Sequence, residues 1–248
     1  MNEQYIVGRN PVLELLKSDK EVEKIYVLNG DNKGSINKII GIAKDRNIVI
    51  QQVDKNKLDN LAEGNSHQGV AALATSYSYS SIEEIFYSAK EKNQDPFIII
   101  LDGIEDPHNL GAIIRTAECG GAHGIIIPKR RSASVTQTVY KSSAGAVEHM
   151  LVAKVNNISS TIDDLKEKGL WIYGADMEGN EYHFNTNLTG SLALVIGNEG
   201  KGISRLVKEK CDVLVKIPML GNISSLNASN AASILIYEVI RQKYGSKK

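Results

Sequence analysis

Short apolar runs that stop at polar, glycine-bearing turns recur along this chain, and stretches with helical spacing separate them. In the first third, Ile25–Leu28, Ile48–Ile50 and Val70–Leu73 read as strands, and Ile36–Lys44 and Leu58–Glu63 as amphipathic helices. Asn10-Pro11 introduces a further short helix, Val12–Lys17, with proline at the favoured first position. From residue 96 the alternation is clearer. Phe97–Leu101 is wholly apolar and ends at Asp102-Gly103. Asp106-Pro107 then supplies a cap and first turn for a helix whose buried stripe is Leu110, Ile113, Ile114 and Ala117. Ile125–Ile127, Trp171–Tyr173, Leu192–Ile196 and Asp212–Ile217 read as further strands, with a helical pattern at Ile162–Lys168. Strands alternating with helices predict an α/β fold with a mainly parallel sheet. The Ser/Tyr run Thr75–Ser81 has no clear period, and the charged stretch Ile82–Asn93 after it is helix-like. They predict a smaller α/β domain over 1–75, a linker over 76–95 and a second domain over 96–248.

The last fifty residues hold the most informative turns. Leu192–Ile196 feeds Gly197-Asn-Glu-Gly-Lys-Gly202, three glycines in six positions. The strand ending at Ile217 is stopped by Pro218, and a loop leads to Ser224, Ser225 and Asn227. A helix follows, apolar at Ala228, Ala231, Ala232, Leu235, Ile236, Val239 and Ile240, with only small residues in its first turns. A ligand or another backbone can approach such a helix closely. The glycine turn is not a Walker A loop, because Gly200-Lys201 is followed by Gly202 and the position that needs glycine is Val195. Nor is it a dinucleotide fingerprint, since its order is G-x-x-G-x-G and it lies late in the chain.

Composition narrows the class. With 42% hydrophobic and 23% charged residues the chain is an ordinary globular protein. No apolar run reaches membrane-spanning length and the first residues lack a signal-peptide pattern, so a cytoplasmic location is expected. Two isolated cysteines without CxxC spacing and five dispersed histidines indicate neither a disulfide framework nor a metal site. Twenty-nine basic residues balance 29 acidic ones, unlike the net basic charge usual for a nucleic-acid binder. Between Pro128 and Lys154, however, Lys129, Arg130, Arg131, Lys141 and Lys154 face one acid, Glu148. That excess suits phosphates and equally suits a solvated loop.

Three ordered motifs carry a resemblance that covers essentially the whole chain: Leu101–Glu118 (LDGIEDPHNLGAIIRTAE), the Gly197–Gly202 turn with its strand, and Ile217–Asn227 with the helix after it. Together they resemble the SpoU (TrmH) family of RNA 2'-O-ribose methyltransferases, and the N-terminal arrangement is similar to its bacterial 23S rRNA guanosine branch, the RlmB type. The resemblance implies a SPOUT-type catalytic domain whose end is tucked into a trefoil knot, an L30e-like N-terminal domain that helps hold RNA, S-adenosylmethionine as methyl donor, and a homodimer.

Carried over position by position, the resemblance makes Asn109, Arg115, Glu199, Ser225 and Asn227 the polar active-site residues, and Gly197, Ile217 and Leu226 the donor-binding backbone. The expected RNA contacts are His67 and Gln68, similar to a His-Gln-Gly of the family, the basic-segment residues Lys129, Arg130, Arg131 and Lys141, and Arg9. Each has a plainer reading from its own residues. Arg115 lies off the buried helical stripe and would be solvated, Ser225 and Asn227 could be helix caps, and Gly197, Ile217 and Leu226 could be strand ends and a turn glycine. Gly64–Gly69, which contains His67 and Gln68, could be a surface turn. Ala228 and Asn230 depart from the valines common in the family. Three functions follow in order of fit: an rRNA 2'-O-methyltransferase, with transfer RNA or resistance-type rRNA targets open; a non-catalytic RNA-binding module of the same fold; and an ATP-using enzyme, disfavoured by the loop order.

Overall fold

A computed structural model describes residues 4–18, 21–30, 34–75 and 77–245. The chain divides into two compact units, 1–78 with 134–137, and 79–133 with 138–248.

In the first unit, β1 (Gln4–Val7), α1 (Arg9–Lys17), β2 (Glu21–Leu28), α2 (Ser35–Asp45), β3 (Val49–Val53), α3 (Lys55–Ala62) and β4 (Val70–Thr75) build a mixed sheet in the order β1-β4-β2-β3. β2 and β3 are parallel, and β4 is antiparallel to both its neighbours. Val12, Ile25, Ile36, Ile39, Val70 and Ala72 form the core on one face. α1 starts three residues earlier than its apolar pattern predicts, at Arg9, with Gly8 as the preceding residue at φ 96°. Pro11 therefore sits inside the first turn, where its missing N–H costs nothing because those amides have no partner within the helix. β1 has no counterpart among the predicted elements.

The second unit holds α4 (Ile82–Glu91), β5 (Phe97–Asp102), α5 (Pro107–Cys119), β6 (Gly124–Pro128), α6 (Gln137–Ser142), β7 (Val152–Val155), α7 (Ile158–Glu167), β8 (Trp171–Ala175), β9 (Glu181–Tyr182), β10 (Leu192–Gly197), α8 (Arg205–Lys210), β11 (Val213–Lys216) and α9 (Ala228–Gly245). The seven strands run in the order β7-β6-β5-β10-β8-β11-β9, and every pairing among them is parallel. All their C-terminal ends therefore lie along one edge of the sheet, where open α/β sheets bind ligands. β10 is central, and Leu192–Ile196 are buried on both faces, as a continuous apolar run requires.

The segment expected to be a linker is not one over most of its length. α4 carries a capping box between Ser81 and Glu84, and Ile85 is fully buried against Ile98, Ile126 and Ile162. The helix is thus part of the second unit's core. Its short apolar stripe, among charges, concealed that role. Among the described residues, no helix is long and apolar enough to cross a membrane, and no His/Cys/Asp/Glu group could hold a metal ion.

Candidate active site

The turn after β10 is built to hold its shape. Asn198 N donates to Gly202 O at 3.1 Å and Gly202 N returns a bond to Asn198 O at 2.8 Å. Gly202 has φ 66°, the left-handed region glycine tolerates. A Cβ at Gly197 would run into the backbone of Gly202 and Ile203, so only glycine fits there. The turn is strapped to the end of β5: Asn198 Nδ2 donates to Gly103 O at 2.8 Å, and Ser204 N donates to Asp102 Oδ2 at 2.7 Å.

Three predicted polar residues meet at this edge. Glu199 Oε1 accepts from Asn109 Nδ2 at 2.8 Å, from Asn227 Nδ2, and from Ala228 N at 3.2 Å. Asn227 Nδ2 also lies 3.0 Å from Asn109 Oδ1. The last of the amides donating to Glu199 belongs to the N-terminus of α9, which favours a carboxylate through the helix dipole as well as the hydrogen bond. Asn227 does two things at once. Its Oδ1 accepts from Ser229 N at 2.9 Å, which caps α9, while its Nδ2 holds Glu199. Ser225 is exposed and caps nothing. Asn109 is only 8% exposed, set on α5 just beyond the Asp106 cap, which accepts from His108 N at 2.9 Å. α5 and α9 pack closely: a Cβ at Gly120 would reach 2.5 Å from Ile236 Cγ2, and Thr116 Oγ1 sits 3.2 Å from Ser233 Oγ.

Beside this network is a cavity of about 430 Å³, within the usual range for small-molecule sites. Its walls come from the ends of β8, β10 and β11 and the start of α9, and include Gly197, Glu199, Ile217, Ser225 and Leu226. The third wall went unpredicted. Asp176, Met177 and Glu178 form a turn after β8, pinned by Lys208 of α8 at 3.0 Å to Asp176 and 2.8 Å to Glu178. These bonds, the one to Glu178 first, raise the Lys208 ammonium above its ordinary pKa. The signal was the same one used for β10, an apolar strand running into a polar turn with glycine, here Gly179.

Residues 96–237 match the SpoU rRNA methylase family. The chain belongs to that family. Residues 5–80 match the substrate-binding domain of RNA 2'-O ribose methyltransferases that accompanies SpoU catalytic domains. Among SpoU relatives, the chain is 49% identical over 239 residues to Bacillus subtilis YacO, named as a TrmH family tRNA/rRNA methyltransferase, covering 96% of each chain. It is 48% identical over 244 residues to a protein of the same description from Staphylococcus haemolyticus, covering 98% of each. The fold is that of the SpoU methyltransferase AviRb from Streptomyces viridochromogenes, solved with AdoMet (TM-score 0.63, 24% identity, 98% of this chain and 92% of that one). The A. aeolicus TrmH/SpoU tRNA modifying enzyme matches with TM-score 0.57 and 27% identity over 61% of this chain and 77% of that one.

Of the residues that the SpoU motifs single out, Asn109, Glu199 and Asn227 are joined directly, and Gly197, Ile217, Ser225 and Leu226 share their cavity. Arg115 is exposed on α5, outside the network. It lies six residues, about 9 Å and well over a turn, beyond Asn109. Lys129, Arg130 and Arg131 are exposed after β6, and Lys141 is exposed on α6. α6 packs tightly on α5, since a Cβ at Gly111 would lie 2.8 Å from Ser142 Cβ. In the first unit Arg9 Nε donates to Gln68 O at 2.9 Å and Arg9 N to Gln68 Oε1 at 3.1 Å. His67 Nδ1 accepts from Gly69 N at 2.9 Å, which leaves Nε2 to face Asp59 Oδ1 at 3.1 Å. Arg9 and Gln68 are thus bonded to each other, while His67 separately ties Gly69 and Asp59.

Proposed function

We propose that the protein transfers a methyl group from S-adenosylmethionine to the ribose 2'-oxygen of a guanosine in 23S rRNA. The observation that carries this reading is the Asn109–Glu199–Asn227 network, whose Glu199 lines a cavity at the carboxyl edge of a parallel sheet. The cavity fits the donor. Its volume suits a nucleoside-sized molecule, and Gly197 leaves the backbone bare where a Cβ has no room. Gly197, Ile217 and Leu226 would hold the adenosine. The bound donor supplies an electrophilic methyl on a cationic sulfur.

The chain's own residues then have to position a weak nucleophile and favour oxyanion character on it. Glu199 fixes Asn109 and Asn227, whose amides orient the ribose. Ser225, free of a cap role, bonds the RNA phosphate. Arginine is always protonated in proteins, so Arg115 acts as a phosphate and alkoxide stabiliser rather than as a base. Its distance from the network fits a homodimer in which each Arg115 serves the partner's site. Residues 1–75, through Arg9, His67 and Gln68, hold the RNA together with Lys129, Arg130, Arg131 and Lys141. The fold-back of α9 onto the β10 turn supports a threaded, trefoil C-terminal region, and the reaction is placed in the cytoplasm.

The test is methyl transfer from labelled donor to unmodified 23S, 16S and transfer RNA transcripts, with reverse-transcription stops mapped at low nucleotide concentration. Label and a protein-dependent stop at a guanosine in 23S rRNA are expected. Label confined to transfer RNA would move the target, and no label on any RNA, under conditions where another SpoU methyltransferase transfers label, would end the proposal.

A further inference from the structure

β9 is the edge strand of the catalytic sheet and, being parallel to β11, ends on the same side as the cavity. Tyr182 pairs with Lys216, and the next residue, Ile217, is a cavity wall. Adjacent strands are about 4.8 Å apart, so whatever stands on Tyr182 stands at the rim of the donor pocket. What stands there is aromatic. The rings of Tyr182 and Phe184 stack with centroids 5.3 Å apart and planes 5° apart, and Lys216 Nζ lies 4.8 Å from the Tyr182 centroid. His183 meets Phe184 edge-on at 5.1 Å and is tied back by its Nδ1, 3.3 Å from Lys216 O. The rings remain 39% and 48% exposed.

Two stacked rings left open to water beside a ligand site are costly unless something covers them. The acid nearest this face from α9, Glu238, is bonded to Arg241 at 2.7 and 2.8 Å and to Gln242 at 2.7 Å. Glu181 points to the opposite face of the strand from Tyr182 by alternation. The platform thus offers flat π-surface with a lysine ammonium and an imidazole. That is the chemistry that takes a nucleobase and its phosphate.

We propose that Tyr182 and Phe184 form a stacking platform for an unpaired base of the RNA substrate, adjacent to the nucleotide being methylated, with Lys216 toward its phosphate. The inference rests on the methyltransferase reading and adds a specificity element to it. Stacking on the rim would hold the acceptor strand out of its helix and aim the neighbouring ribose at the cavity.

The test uses Phe184→Leu, which keeps apolar bulk, and Phe184→Trp, which keeps a stackable ring. Binding of a fluorescein-labelled oligoadenylate of about ten nucleotides is measured by anisotropy. S-adenosylhomocysteine binding is followed by calorimetry and mass by light scattering. Leucine should weaken oligonucleotide binding roughly five- to hundredfold and tryptophan should restore it, with S-adenosylhomocysteine affinity and mass unchanged. Equal oligonucleotide affinity in all three proteins, or none in the wild type, overturns the platform. So does loss of S-adenosylhomocysteine binding alone, which would assign the rings to the donor's adenine, or a change in mass, which would assign them to a contact between copies. The methyltransferase reading fails separately, if the wild-type chain neither binds S-adenosylhomocysteine nor transfers label.

Discussion

The two ends of the seven-stranded sheet hold polar groups in opposite ways, sealed in at one and open at the other. At the amino-terminal end of β5, His123 is 2% exposed and closed on both ring nitrogens. Phe97 N donates to Nδ1 at 3.0 Å, so Nε2 carries the proton and faces Gln94 Oε1, also at 3.0 Å. Nothing is left over. At the carboxyl-terminal end, the donors converge on a single oxygen of Glu199, and among the described residues none is seen on its Oε2. A buried polar group with every valence filled fixes shape, while an exposed one with spare valence beside a cavity is available to a ligand.

The largest effect should come from Glu199→Ala, which strips the partner from Asn109, Asn227 and the Ala228 amide at once. Methyl transfer should fall on the order of a hundredfold or more, measured as kcat/KM, while urea unfolding shifts by only about 1–3 kcal/mol. A fall in stability without a fall in kcat/KM would make this end structural, like the other. Gly197→Ala should abolish donor binding in calorimetry and cost about 1–3 kcal/mol, because the added methyl meets backbone that cannot move without opening the turn.

The opposite end should answer to pH instead. Burial first, then nearby Lys92 and Lys243, push His123 down to about 4. The unfolded chain therefore takes up a proton near pH 6.5 that the folded chain refuses. Stability is full above pH 6.5 and declines as pH falls toward 4, by about 2–3 kcal/mol. Urea midpoints across that range should show the decline, and His123→Gln should flatten it. The smallest effect concerns Cys211, whose thiol burial raises to about 12. It should resist a disulfide reagent at pH 8 in the folded protein and react once the protein is unfolded.

How much of this was legible depended on the kind of signal. β5, β6 and β10 announced themselves as uninterrupted apolar runs, and the stripe on α5 as a helical period. β7 is four residues with Lys154 among them, β9 is two exposed residues, and α8 is a six-residue basic helix. Their positions are set by neighbours rather than by their own pattern. α4 was misplaced because its helix was visible but its burial against the sheet was not. Within the site, residue types and motif order picked out Asn109, Glu199 and Asn227. That they bond to one another could not be read, since they stand 90 and 118 positions apart from end to end. The wall at Asp176 obeyed the rule used for β10 and was passed over because a long polar stretch diluted it.

Asn227 starts the last helix and grips Glu199 with the same amide group. Asn109 and Glu199 precede that helix in the chain, so the centre stays unassembled until α9 docks. Competence thus hangs on that one docking step and arrives all at once.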